Sequence, residues 1–197
     1  MSSKNSATPV GGKYFLYGLD ISLNNTGVAI FDLETREFVH IGSFNTESLK
    51  ATKEYKGLEI SALKIHKIRE WFENLIKEFP PYYLAIEQMV KVEREHGVNI
   101  NEIKGIAKAT GVIQEAVWNK PQTFYYPSEV KSAIIKGNAS KEVVRSEILK
   151  RYPHLVFKNL DESDATAVAL TKLIEVGIVQ WEKPVEVKTP KTRRKAK

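Results

Sequence analysis

Cysteine is absent from this 197-residue chain. Its absence removes disulfides, thiolate zinc sites and thiol nucleophiles together. Histidine is scarce and scattered: His40 falls on a predicted strand, His66 on a helix and His154 in a loop, all three read as structural. His96 follows in a polar loop near an acid, where it could approach a nucleic acid. No apolar run approaches the length of a membrane span. Residues 1–13 lack the apolar core of a signal peptide and read as a flexible Ser/Gly-rich leader. These absences predict an intracellular, cytoplasmic protein with no membrane partner.

An excess of positive charge is also missing from most of the chain. The net charge is +6, but residues 183–197 carry seven basic side chains and one acid, which accounts for all of it. The preceding 182 residues are formally neutral, so any nucleic-acid contact they make must come from local patches. The Pro-containing basic tail would add non-specific phosphate affinity or serve only solubility.

Residues 14–20 form a short aromatic-rich apolar run that stops at Asp20, with the composition of a strand. A polar loop follows, and residues 27–33 and 37–42 continue as an antiparallel meander. Apolar residues at helical spacing over 58–79 predict an amphipathic helix of about six turns, ended by Pro80-Pro81. Residues 82–86 form a buried strand that also stops at an acid, Glu87. A helix over 102–118 is apolar on two sides, one bearing the small residues Gly105, Ala109 and Ala116 beside Val112. Residues 123–126 give a short fifth strand. Helices follow over 130–135, from Ser140 to about residue 151, and over 162–175 before Gly177. The order predicts one mixed α/β sheet covered by helices.

Carboxylates stand at the ends of these elements. Asp20 and Glu87 each terminate a strand, and Asp161 and Asp164 share one face at the start of the final helix. Each has an ordinary reading: Asp20 as a turn residue, Asp161 as a helix cap. Together, without cysteine or organised histidine, they suit a hard, oxygen-liking cation such as magnesium or manganese. Two such ions about 4 Å apart would support phosphoryl-transfer chemistry.

Three motifs then coincide: Asp20 with Thr26-Gly27-Val28-Ala29; Ala85-Ile86-Glu87-Gln88; and the run from Asp161 through Asp164 to Ala169. Over residues 14–178 they resemble the RuvC family of Holliday junction resolvases, in a phage-type or divergent form. Where many members have Pro-Gly after the first acid, Ile21-Ser22 stand here. Met89 and Val90 replace the aromatic that bacterial members place after Glu-Gln.

The resemblance implies an RNase H-like fold over residues 14–180: a five-stranded mixed sheet, three antiparallel meander strands plus two parallel strands, flanked by helices. Residues 181–197 form the tail. It implies a structure-selective endodeoxyribonuclease that cuts four-way junctions in pairs, leaving 5′-phosphate and 3′-hydroxyl ends. Asp20, Glu87, Asp161 and Asp164 would bind two Mg2+ ions, with Mn2+ able to substitute. Lys131 would join them in catalysis. The segment from Val130-Lys131 through Gly137 to Lys141 resembles the family's basic stretch, so Lys131, Lys141 and Arg145, with Lys91 and Arg94, would contact branched DNA. The 102–118 helix would build a homodimer through Gly105, Ala109, Val112, Ile113 and Ala116.

Competing readings share parts of this pattern. A less selective nuclease of the same fold could cut flaps, forks or RNA–DNA hybrids. A sugar-kinase or actin-like ATPase also ends its first strand in Asp, but needs a second similar domain that this length does not supply. A binding module without catalysis would have no use for acids that repel phosphate.

Overall fold

The computed structural model describes residues 14–49, 60–88 and 100–183. The chain runs β1 (Phe15–Asp20), β2 (Asn25–Asp32), β3 (Glu37–Asn45), α1 (Ile60–Glu78), β4 (Pro81–Glu87), α2 (Ile100–Ala116), β5 (Gln122–Tyr125), α3 (Pro127–Ile134), α4 (Lys141–Arg151) and α5 (Leu160–Glu175). The sheet order is β3-β2-β1-β4-β5. β1, β2 and β3 pair antiparallel, while β4 pairs parallel with both β1 and β5. This is the expected meander with two parallel strands added. The meander strands are longer than expected, since β2 begins at Asn25 and β3 reaches Asn45.

Alternation along β1 sends its side chains to two cores. Phe15, Tyr17 and Leu19 pack with Ile68 and Phe72 of α1 and Ile113 of α2. Leu16 faces the other way, into the layer formed by α3, α4 and α5. The Tyr17 hydroxyl crosses its layer to donate to the carbonyl of Phe79 at 2.6 Å, satisfying the C-terminal end of α1. On this side His40 lies 5.7 Å from the Phe79 ring, and burial lowers the pKa of its imidazole. His66 pairs with Glu70 at 3.2 Å on the surface of α1, and His154 lies beside Tyr152.

Two expected boundaries shift. Asn159, not Asp161, caps α5: its side chain accepts from the backbone N–H of Glu162 at 3.0 Å. The folded body also extends beyond residue 180, because Trp181 donates its indole N–H to the Ile134 carbonyl at 2.8 Å and lies under the Arg151 guanidinium. The leader and residues 184–197 lie outside the described residues.

The expected dimer face on α2 needs correction. Gly105, Ala109, Ile113 and Val117 form one stripe at a spacing of four residues, buried against this chain's own sheet and α1. A Cβ at Gly105 would already press on Leu23 at 3.1 Å. Gly105, Ala109 and Ile113 are therefore used within the protomer. Val112 and Ala116 are half-buried, and Gly111 faces open space. Among the described residues no helix is long and apolar enough to cross a membrane.

Candidate active site

Asp20 and Glu87 end neighbouring parallel strands. Leu19 pairs with Ile86, so the two acids occupy the next rung, on the face that α5 covers. α5 lies unusually close to that face. A Cβ on Gly18 would come within 2.2 Å of the Ala165 carbonyl oxygen, and one on Gly27 within 2.2 Å of the Asp161 carbonyl oxygen. Because Gly27 is also the cross-strand partner of Asp20, this contact brings the first turn of α5, with Asp161 and Asp164, to the two strand-end acids.

Side chains around the acids fix that turn. The Asn25 amide nitrogen donates to the Asp161 carboxylate. Asn25 is held in turn by Ser22, whose hydroxyl donates to the Asn25 carbonyl at 2.7 Å and accepts from its N–H at 2.9 Å. On the other side, Asn159 donates to the Ser43 hydroxyl at 2.8 Å, which donates to Glu162 at 3.2 Å. Glu162 is 1% exposed and also accepts from the Lys158 N–H at 2.7 Å. None of these supporting residues was singled out from sequence. Asn159 followed three residues later by Glu162 is a legible helix-start signature, but Asn25 and Ser43 have no local signal.

The electrostatics are those of acids crowded out of water. Asp20 has its pKa pushed up to about 8, by burial first and then by the charge of Glu87, against the opposing pull of Lys141. Glu87 is pushed up to about 7, by burial and then by Asp164, with Lys141 and Lys131 opposing. Asp164, only 7% exposed, is also raised by burial, although its ion pair with Lys141 pulls the other way. Burial works against the Lys141 ammonium, but Asp164, Asp20 and Glu87 outweigh it and hold the lysine charged.

Four carboxylates thus meet the charge of Lys141, directly paired, and of Lys131 on α3, acting through space. Among the described residues no three acidic or histidine side chains have closed into a ligand set. The donors nevertheless fit a divalent cation: they are all oxygens, mutually repelling and short of positive charge. The Asn25 side-chain oxygen, buried without a hydrogen-bond partner among the described residues, adds a further neutral donor beside Asp161.

The basic residues expected at DNA divide. Lys141, the first residue of α4, and Lys131 stand at the acids. Arg145 turns inward, donating to the Phe157 carbonyl at 3.0 Å with its guanidinium over the Phe157 ring. That contact assigns it to the packing of α4, a correction to its expected role. Lys91, Arg94, His96, Met89 and Val90 lie outside the described residues.

The family model described as crossover junction endodeoxyribonuclease RuvC matches residues 16–172. The curated relatives include the proteins of that description from Geobacter sulfurreducens, 29% identical over 159 residues and covering 78% of this chain and 88% of the relative, and from Nitrobacter hamburgensis, 27% identical over 158 residues and covering 79% and 86%. Among solved structures, Thermus thermophilus RuvC in complex with Holliday junction substrate superposes with a TM-score of 0.65 at 17% identity, over 84% of this chain and 96% of that one. The fold is RNase H-like, as the motifs implied.

Proposed function

This chain belongs to the crossover junction endodeoxyribonuclease RuvC family, and from that premise we propose that it resolves four-way DNA junctions by paired hydrolysis of phosphodiester bonds. The observation that carries the proposal is the adjacency of Asp20 and Glu87 on parallel strand ends, with Asp161 and Asp164 brought to them over Gly18 and Gly27. Asp20, Glu87, Asp161 and Asp164 would hold two magnesium ions, with manganese able to substitute. When bound, the metal supplies activation of the attacking water and stabilisation of the leaving oxygen.

The chain's own residues set the geometry. Asn25 fixes the Asp161 carboxylate, and the Ser43–Asn159–Glu162 network fixes the helix turn that carries both aspartates. Lys131 would neutralise charge developing on the scissile phosphate. Lys141 would exchange its Asp164 partner for the DNA backbone. Water attacks in line, and the bond to the 3′ oxygen breaks, leaving 5′-phosphate and 3′-hydroxyl ends. The basic residues of the tail would contribute affinity by counterion release.

A four-way junction has two equivalent scissile strands, so we also propose a homodimer with its two sites related by a two-fold axis. Gly105, Ala109 and Ile113 are used internally, so the face α2 offers a second copy is Ala107, Gly111 and Val112. They line a groove shared with Ile65 of α1 and rimmed by the Arg69–Glu115 ion pair.

The test is incubation of the full chain with a mobile four-way junction, a flap, a linear duplex and an RNA–DNA hybrid, each with magnesium and with chelator. Paired, magnesium-dependent cuts in the junction alone are expected. Equal cutting of flaps or hybrids would replace junction selectivity with a broader nuclease activity, and cutting in chelator would overturn the metal assignment.

A further inference from the structure

Tyr125 is the last residue of β5 and the cross-strand partner of Glu87. Its side chain is buried on the face that α5 covers, and its hydroxyl donates to the carboxylate of Glu175, the last residue of α5. Its carbonyl accepts from the backbone N–H of Gln88, next to Glu87, at 2.7 Å. The chain then passes through Tyr126 into α3, which carries Lys131. One residue therefore joins the three elements that bring together Glu87, Lys131 and the aspartates Asp161 and Asp164. We infer that Tyr125, anchored by Glu175, is a positioning residue for cutting, fixing Glu87 and Lys131 relative to the aspartates of α5. The inference rests on the nuclease reading above and extends it to residues outside the acid cluster.

The sheet itself creates the need for such a tie. β5 is a four-residue strand at the sheet edge, shorter than the usual five or six residues, so its ladder alone holds its end weakly. Side chains stiffen it on the face towards α5. Tyr83 and Thr123 share a hydrogen bond of 2.5 Å across β4 and β5. The Lys172 ammonium lies 4.8 Å from the centre of the Tyr83 ring and 3.3 Å from the second Glu175 oxygen. The Tyr125 hydroxyl, and then Lys172, hold the Glu175 carboxyl below the usual carboxylate range. Burial and the hydrogen bond to Glu175 raise the pKa of the Tyr125 hydroxyl, so it stays a donor near neutral pH. A hydrogen bond to an ionised acceptor is roughly twice as strong as one between neutral groups. At its other end α5 is fixed by Asn25 and Ser43, and in its middle by Gly18. Over its length of about 24 Å, the helix is a rigid bar whose far end locates the end of β5.

The experiment uses the full chain, a four-way junction and saturating magnesium. Tyr125→Phe deletes one hydroxyl. Glu175→Ala deletes its acceptor, a side chain 52% exposed at a helix end, so neither change opens the core. Each variant is expected to cut between about tenfold and a hundredfold more slowly at saturating enzyme, the scale of a displacement of up to about 1 Å. Junction affinity in chelator should be unchanged. The double variant should be no slower than either single one, because both changes break the same bond. Glu175→Gln keeps an oxygen to accept the hydroxyl and should recover most of the rate. Thermal melts check that each variant is folded; if Tyr125→Phe is not, Glu175→Ala against Glu175→Gln carries the same comparison. Saturated rates equal to wild type, even with a lowered melting temperature, would make the tie purely structural and overturn the inference. Losses that multiply in the double variant, or a fall in affinity that matches the fall in rate, would overturn it as well. A wild-type protein that neither binds nor cuts branched DNA would overturn the proposed function instead.

Discussion

Gly18 lies against the backbone of Ala165 so closely that a Cβ at position 18 would come within 2.2 Å of the Ala165 carbonyl oxygen and 2.5 Å of the Ala169 nitrogen. The obstacle is helix backbone, which cannot yield as a flexible side chain would. Gly18→Ala must therefore move α5 off the sheet, and Gly27→Ala must do the same beneath Asp161. Overpacking of this kind costs about 1–3 kcal/mol of stability. Its effect on cutting should exceed its effect on binding, since displacement of catalytic groups by about 1 Å can cost on the order of a hundredfold in rate. Single-turnover cutting and gel-shift titration of Gly18→Ala would separate the two. Equal losses in both, or none, would show that α5 does not depend on this contact for its placement.

Removing a strand-end acid should separate cutting from binding more completely. Asp20→Asn and Glu87→Gln each delete a charge that repels phosphate and is needed for the metal. Cutting should fall by roughly a hundredfold or more, because metal-assisted charge stabilisation is worth several kcal/mol, while junction binding stays level or tightens. A variant that retained more than a few per cent of wild-type cutting, about 2 kcal/mol of lost stabilisation, would remove that acid from the catalytic set.

The raised carboxyl pKa values predict how the metal-free protein responds to pH. Asp20 is pushed up to about 8 and Glu87 to about 7, in both cases chiefly by burial. The folded chain therefore holds these protons more tightly than the unfolded chain, whose carboxyls titrate at about 4. Unfolding releases protons in this window, so stability in chelator should fall as pH rises from about 4 to about 8. Magnesium should reverse the trend by stabilising the ionised forms. Thermal melts across this range, with and without magnesium, provide the check. Asp20→Asn should flatten the chelator series, and a wild-type series that rises with pH would contradict the assigned burial of charge.

Lys131 and the tail should separate rate from affinity. Lys131→Ala is expected to lower the saturated cutting rate, because a positioned ammonium acts on charge that develops in the transition state. Deleting residues 184–197, which hold six basic side chains and one acid, should weaken junction binding and flatten its salt dependence without lowering that rate. Rates at saturating enzyme and affinities across a salt series distinguish these roles, and exchanged effects would refute both.

The site was legible in the sequence because its acids fall at strand ends and a helix start, where periodicity changes. Asp20 and Glu87 could be read from apolar runs that stop at a charge, and Asp161 with Asp164 from their spacing. The close approach of α5 was not legible: Gly18 reads as one more strand residue until the helix packed on it is known. For the same reason α2 was misassigned. Its small residues are consistent with a helix seam, but Gly105 and Ala109 are small because Leu23 and the sheet press on them. A small residue in a sequence does not say which neighbour requires it. Asn25 and Ser43 act at Asp161 and Glu162, 136 and 119 residues away in the chain, a relation no local pattern encodes.

That revised view of α2 yields a paired prediction for the homodimer. Ala109 is fully buried in the protomer, so Ala109→Glu would place a carboxylate in the core and should prevent stable folding, since an unpaired buried charge costs several kcal/mol. Val112 lies three residues further along, half-buried in the outward groove with Gly111 and Ala107. Val112→Glu adds its charge next to Glu115 on that outer surface, where the monomer can hydrate it but a self-paired interface would set like charges against each other. The expected result is a folded monomer that nicks one strand of a junction and no longer makes paired cuts in one binding event. Sedimentation at micromolar concentration, together with cutting of a supercoiled plasmid bearing a cruciform, measures both properties. If Val112→Glu still sediments as a dimer, the interface lies on another face. If the wild-type chain is monomeric and still makes paired cuts in one encounter, no such interface is needed.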